Sequence, residues 1–294
     1  MTTQRVGVAL LRRLLRMHHA GGVGHLGGNL GCLDILAAIL GGAMATGDEL
    51  VLSKGHAAGA LYVALWAQGR LTDDDLATFH RDGTLLAGHP PASGIPGIPF
   101  ATGSLGHGPG LAAGLALGWR LQGRPGHAFC VTSDGEWNEG SCWEALAFAV
   151  HHRLGNLTLV VDANGLQGFG TTREVLDLEP LAAKFRAFGA EVAEVDGHDP
   201  VALAAALAVP GRDSGRMPPP PAENSPASRE GGETAAPRVI VARTVKGKGV
   251  SFMEGRMEWH YLPLTDDLLT QALADLDTAG GAGRDARGPG GVGR

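Results

Sequence analysis

Residues 127–166 read HAFCVTSDGEWNEGSCWEALAFAVHHRLGNLTLVVDANGL. Two short runs rich in β-branched and apolar residues, His127–Thr132 and Leu157–Asp162, have the composition of buried strands. Between them, Glu139–His152 carries Trp143, Leu146, Ala147 and Val150 at helical intervals. Further strands are expected at Glu191–Val195 and Arg238–Val245, with helices at Leu181–Phe188 and Val201–Leu207. Strand–helix alternation of this kind predicts an α/β fold, a doubly wound and mainly parallel sheet with helices on both faces.

Such sheets bind ligands beyond the carboxyl ends of their strands. Ser133-Asp134-Gly135 and Asn164-Gly165-Leu166 stand at that edge, their first ligand-bearing residues thirty positions apart. Asp134 offers a carboxylate, Asn164 an amide oxygen and Leu166 a carbonyl. This all-oxygen set suits Mg²⁺, with Ca²⁺ or Mn²⁺ as equivalents, and a hard cation of this type favours phosphate oxygens as its remaining ligands. Asp-Gly and Asn-Gly are also common turns, so either alone would signify no more than that. A diphosphate beside Asp134 needs the metal. Two like unit charges about 4 Å apart cost ~1 kcal/mol in water and ~4 kcal/mol at an effective dielectric near 20.

Ala101–Gly108 is a glycine-rich loop ahead of a small-residue helix, Leu111–Gln122. Loops of this kind let backbone N–H groups approach an anion. His25, His56, His89 and His107 all lie in glycine or proline contexts, and His260 follows Trp259. Imidazoles on tight loops suit proton transfer and hydroxyl recognition. Zinc is the rival reading, but no paired ligand spacing supports it. Lys246, in Val245-Lys246-Gly247-Lys248, follows the last expected strand, where a cation reaches a phosphate or simply meets solvent. Glu139 and Glu144 open the helix entered from the Asp134 turn, where acids also complement the helix dipole.

The chain has 294 residues, net charge −6, 47 glycines and three cysteines without CxxC spacing. The length allows one large domain, and the charge argues against a nucleic-acid partner. The cysteines read as buried thiols in a reducing, cytoplasmic compartment. Val6, Leu10, Leu14 and Met17 predict a first amphipathic helix in preference to a transit peptide. The apolar run from Leu30 to Met44 contains Asp34 and reads as too short for a bilayer, so no membrane partner is expected. The main domain is expected over residues 1–265, interrupted by a disordered Pro-rich insertion at 210–237. A C-terminal helix at 266–279 and a disordered Gly/Arg tail at 280–294 follow.

Several ordered stretches together resemble the N-terminal half of transketolase, the thiamine diphosphate-binding part, over about residues 4–210 and 238–265. They are Gly24-His25-Leu26-Gly27-Gly28, Leu52-Ser53-Lys54-Gly55-His56-Ala57, Ala87-Gly88-His89-Pro90 and Thr102-Gly103-Ser104-Leu105-Gly106. Asp134-Gly135 to Glu139-Gly140, Val161 to Gln167, Val195-Asp196-Gly197-His198-Asp199 and Lys246-Gly247-Lys248-Gly249 continue the series. The resemblance implies the thiamine diphosphate-binding fold and a Mg²⁺ held by Asp134, Asn164 and the Leu166 carbonyl. It implies cofactor contacts from His56, Gly103, Ser104, Leu105, Gly135, Glu139, Asn164 and Lys246. His25, His89 and His260 would face the substrate as catalytic residues, and Glu139 and Glu144 would join an acidic network between subunits. Three departures bear on substrate identity: Ser133 and His107 replace a glycine and a glutamine, and Tyr261 follows His260 where a glycine is expected.

The family's second cofactor-binding domain, which supplies the glutamate that activates the aminopyrimidine, has no counterpart in these motifs. A separate C-terminal transketolase subunit is therefore the expected partner, in a heterotetramer acting on a small sugar or sugar phosphate. The expected activity is transfer of a two-carbon ketol unit, dependent on that partner. Two alternatives stay open: a subunit that decarboxylates a 2-oxo acid, as in deoxyxylulose-phosphate synthesis, and a non-catalytic regulatory homologue.

Overall fold

The computed structural model of the chain describes residues 3–92, 94–209 and 236–281. Apart from residues 236–237 and 280–281, the expected insertion and tail lie outside the described residues. Strands β1 (Glu49–Leu52), β2 (Ala128–Ser133), β3 (Leu157–Ala163), β4 (Glu191–Asp196) and β5 (Arg238–Arg243) form one sheet. Their spatial order is β1-β2-β3-β5-β4, and every neighbouring pair is parallel. All seven residues of β3 are buried, which is why the strand reads as a continuous apolar run without alternation.

Helices cover both faces. On one face α1 (Thr3–Gly21), α2 (Leu26–Ala38), α3 (Ala58–Ala67), α9 (Pro200–Leu207) and α10 (Asp266–Gly281) pack into one core with Leu50, Phe129, Val160 and Ile240. On the other, α5 (Gly108–Leu121), α6 (Gly140–His151) and α8 (Leu181–Phe188) pack around Trp137, Cys130, Leu159 and Val239. Two short helices, α4 (Asp73–Ala77) and α7 (Thr172–Leu176), start with Thr–acid capping boxes at Thr72–Asp75 and Thr171–Glu174.

Two expectations change. The apolar helix runs without a break from Leu26 through a π turn at Ile39–Ala43, so it is 18 residues long rather than short. It is 67% buried within the fold, and its apolar character serves the core. The last strand ends at Arg243, not Val245. Thr244 N–H still reaches Ala163 O (3.2 Å), but Val245 N–H leaves the sheet for His198 Nε2 (2.9 Å).

Parallel register decides what meets at the edge. Ser133 pairs with Asp162, and Ala163 pairs with Arg243. Asp134, Asn164 and Thr244 are therefore the first residues beyond three adjacent strands. Asp134 N–H also donates to Asp162 O (3.1 Å), holding the first of these turns against its neighbour.

Candidate functional site

The carboxyl edge opens on a cleft of about 220 Å³. Of the expected residues, His56, Leu105, Gly135, Asn164, Leu166, Lys246 and His260 line it. Gly103 and Ser104 lead into Leu105 on the same loop. Gly103 adopts φ +149°, and a Cβ there would lie 2.8 Å from the His89 ring, so the loop passes this histidine only as glycine. His25 and His89 join the same group: ring centroids lie 5.6 Å apart for His25–His56 and 6.1 Å for His25–His89. His260 sits 5.0 Å from His25 and 5.4 Å from His56.

Not every expected residue converges here. Glu139 backs onto Gly106, beneath the glycine loop, and Glu144 is exposed on α6, away from the cleft wall. Asp134 lies behind Ser133 and Gly135, only 6% exposed, and borders a smaller cavity with Asn138, Thr172 and Arg243.

Asp134 Oδ1 accepts from Gly135 N–H (2.8 Å) and Oδ2 from Gly165 N–H (2.6 Å). Burial pushes its pKa up to about 6; the Gly165 N–H pulls it down, and the neighbouring Asp162 pushes it further up. A carboxylate under this load is stabilised strongly by a cation. Asn164 Nδ2 is 3.4 Å from Asp162 Oδ2, and its Oδ1 accepts from Leu166 N–H (3.1 Å), which assigns the ends of the amide.

Three features of the site escaped sequence reasoning. The first is a buried ion pair between Lys54 and Asp162, which also accepts a hydrogen bond from Thr244 Oγ1. Burial opposes the charge on Lys54, but attraction to Asp162 outweighs it and raises the lysine pKa. The second is Glu136, fully buried, which accepts from Ser53 Oγ, Gly106 N–H (2.8 Å) and Ser133 N–H (3.3 Å). It ties the glycine loop to the ends of β1 and β2, and burial holds its pKa above the usual range. The third is Asn29, whose amide donates to His25 O (2.8 Å) and His56 O (3.0 Å) and accepts from Ala60 N–H (2.7 Å). One buried side chain thus fixes two of the four histidine backbones. Lys54 and Asp162 fall within stretches that resemble family motifs, but no local spacing links them. Glu136 likewise lies within such a stretch, between Asp134 and Glu139, and Asn29 directly follows one, but nothing in the spacing marks either as a tie.

The histidines are held neutral. Burial, then the Lys54 charge, lowers the pKa of His56 well below normal. Burial, then Lys246 and His25, lowers that of His260 to about 4. Burial and His89 lower that of His25, and burial alone lowers that of His89. Lys246 is lowered to about 8 by burial and then by Lys54, against the pull of Asp134 and Asp162. Its Nζ lies 3.3 Å from His260 Nδ1 and 3.4 Å from Gln167 O. The cleft thus combines amide and carbonyl oxygens at Asn164 and Leu166, a lysine, and imidazoles disfavoured as cations, each of which in its neutral form can donate one proton and accept another.

A family model for "Transketolase, thiamine diphosphate binding domain" matches residues 23–218. The chain is 37% identical over 268 residues to the 6-deoxy-6-sulfo-D-fructose transketolase subunit SqwG of Clostridium sp. (strain MSTE9), covering 88% of this chain and 90% of that protein. It is 31% identical to one subunit of the apulose-4-phosphate transketolase of Phocaeicola vulgatus, covering 90% of each. Among solved structures, transketolase from Campylobacter jejuni superposes with a TM-score of 0.77 at 28% identity, over 94% of this chain and 43% of that one. An R525L transketolase from Pichia stipitis gives 0.77 at 27% identity, over 96% and 41%. The chain therefore spans less than half the length of those solved transketolases, and with these motifs and this fold it belongs to the transketolase family, as a member of its thiamine diphosphate binding domain.

Proposed function

We propose that this chain is the diphosphate-binding subunit of a two-chain transketolase. With a partner resembling the C-terminal half, it transfers a two-carbon ketol unit from a ketose or ketose phosphate to an aldose or related acceptor. One observation carries the reading: the glycine loop, Lys246, Asn164 and Leu166 line one cleft, and Asp134 lies just behind its wall at Gly135, bonded to Gly165 N–H. The donor set fits thiamine diphosphate held through a divalent cation. Asp134, Asn164 Oδ1 and the Leu166 carbonyl supply hard oxygens for Mg²⁺. His56, Gly103–Leu105, Gly135 and Lys246 surround the diphosphate end, with Glu139 behind the loop. When bound, the cofactor supplies the carbon nucleophile that no amino-acid side chain offers.

The chain's own residues bind, orient and move protons. Lys246 places a cation at the anionic end, and Gly103 lets the loop close against His89. His25, His89 and His260, disfavoured as cations by burial and, for His25 and His260, by Lys246, donate to substrate hydroxyls through one nitrogen and accept protons at the other. The relatives named as transketolase subunits support a separate partner chain. In the assembled heterotetramer the exposed Glu139 and Glu144 lie where copies meet. Three buried free cysteines are in keeping with a cytoplasmic setting.

The test is reconstitution. The purified chain with thiamine diphosphate and Mg²⁺ is expected to be inactive, and to gain ketol transfer when mixed with a C-terminal-half subunit. Asp134→Ala is expected to abolish that gain. Full activity of the isolated chain overturns the reading, as does a mixture indifferent to Asp134→Ala.

A further inference from the structure

We infer that His198 is a positioning residue for Lys246, acting through the backbone N–H of Val245; the inference rests on the reading above, in which Lys246 meets the cofactor's diphosphate. His198 follows β4 and lines no part of the cleft. Its Nδ1 lies 2.9 Å from Asp34 Oδ2 on α2, and its Nε2 lies 2.9 Å from Val245 N. A carboxylate on one side and a backbone N–H on the other allow one arrangement: Nδ1 carries the proton and Nε2 accepts. The same Asp34 oxygen accepts from Lys248 Nζ (2.9 Å). Burial works against the Asp34 charge, but the His198 hydrogen bond and the Lys248 cation outweigh it and hold its pKa below the usual range.

Lys246 is thereby bracketed. Val245 is tied to His198, Lys248 to Asp34, and Gly247 N–H donates to Gly27 O (2.8 Å). Helix α2 approaches so closely that a Cβ on Gly27 would lie 3.2 Å from Lys246 Cγ. Of these three anchors, the two other than His198 join the loop directly to α2. His198 alone takes up the N–H that would have continued β5, and so sets the point at which the chain turns and Lys246 enters the cleft. Its other nitrogen is fixed by Asp34, so the turn, α2 and the loop after β4 move as one body.

Competitive amine labelling of the full chain, read at Lys246 by mass spectrometry over roughly pH 7 to 11, reports on this directly. The parent midpoint is expected near about 8. His198→Ala is expected to move it up toward the ordinary lysine range, and His198→Gln, which puts an amide oxygen where Nε2 stood, to bring it back. In calorimetric titrations with thiamine diphosphate and Mg²⁺, His198→Ala is expected to weaken affinity roughly three- to ten-fold, the scale of one net hydrogen bond. Lys246→Ala is expected to weaken it more, and the double variant to be no weaker than Lys246→Ala. An unmoved midpoint in His198→Ala, or additive losses in the double variant, overturns the inference. A midpoint that moves while Lys246→Ala leaves affinity intact upholds the clamp and removes Lys246 from the diphosphate.

Discussion

At the end of β3, Asp162 has no exposed surface, yet its charge is met from within the chain by Lys54, Thr244 and Asn164. At the end of β2, Asp134 is nearly as buried, and the hydrogen bonds to its carboxylate come from two backbone N–H groups. The two carboxylates sit on adjacent strands, in the same low-dielectric surroundings. Folding satisfies the first and leaves the second with a pKa pushed up to about 6. The difference separates a carboxylate that builds the edge from one suited to binding a cation there.

The largest test removes the counter-charge of the satisfied one. Lys54→Met strands Asp162 in the core and is expected to cost about 3–5 kcal/mol in urea unfolding, with much of it recovered by adding Asp162→Asn. Little loss would mean that Asp162 is no better provided for than Asp134.

Asp134→Asn acts in the opposite direction. The Asp134 pKa is higher folded than unfolded, so its contribution is fully present below about pH 3.8 and is lost as pH rises through about 6. A shift of roughly two units corresponds to about 3 kcal/mol. The metal-free Asn variant sheds this pH dependence: its stability relative to the parent is expected to rise between about pH 4 and pH 7 by up to that amount. It rises from a deficit of about 1–3 kcal/mol, because its amide nitrogen cannot accept from one of the two backbone N–H groups. Its melting temperature should no longer respond to Mg²⁺ with thiamine diphosphate. Parallel pH–stability curves for the two proteins would break the comparison.

Thr244→Val deletes one hydrogen bond to the Asp162 carboxylate and is expected to cost about 1.5–3 kcal/mol, measured by thermal unfolding. Asn164→Ala is the mildest for the fold, expected below about 1 kcal/mol for a half-buried polar side chain. It should nevertheless weaken Mg²⁺-dependent cofactor binding at least about ten-fold, since it removes an oxygen that the proposed reading assigns to the metal. A variant with unchanged affinity would return Asn164 to the role of a turn residue.

These residues also show what a linear reading recovers. Asp134 and Asn164 were legible because a polar residue followed by glycine, directly after an apolar run, marks a strand end. Lys54 and Asp162 were not, because 108 positions separate them and a lysine in a motif reads as solvated until the fold buries it. β1 escaped for a related reason: Glu49–Leu52 offers three apolar residues soon after a long apolar helix, too few to stand out. The histidine group was legible as loop chemistry, but the left-handed backbone of His25, φ 62°, and its anchor Asn29 belong to packing rather than pattern. The helices on both faces followed from periodicity, with ends shifted by a few residues where caps and turns intervene.

The strand order β1-β2-β3-β5-β4 has a consequence for synthesis. Among the described residues β4 pairs only with β5, and β5 also closes the far side of β3. A nascent chain that has emerged through residue 200 can assemble β1, β2 and β3, but β4 then has no neighbour and β3 presents an open edge. Both are resolved by a single late strand, which also brings Thr244 to Asp162 and Lys246 to the cleft. During translation the chain is therefore most prone to aggregation just before it becomes able to bind its cofactor, and both states change on the arrival of the same six residues, Arg238–Arg243.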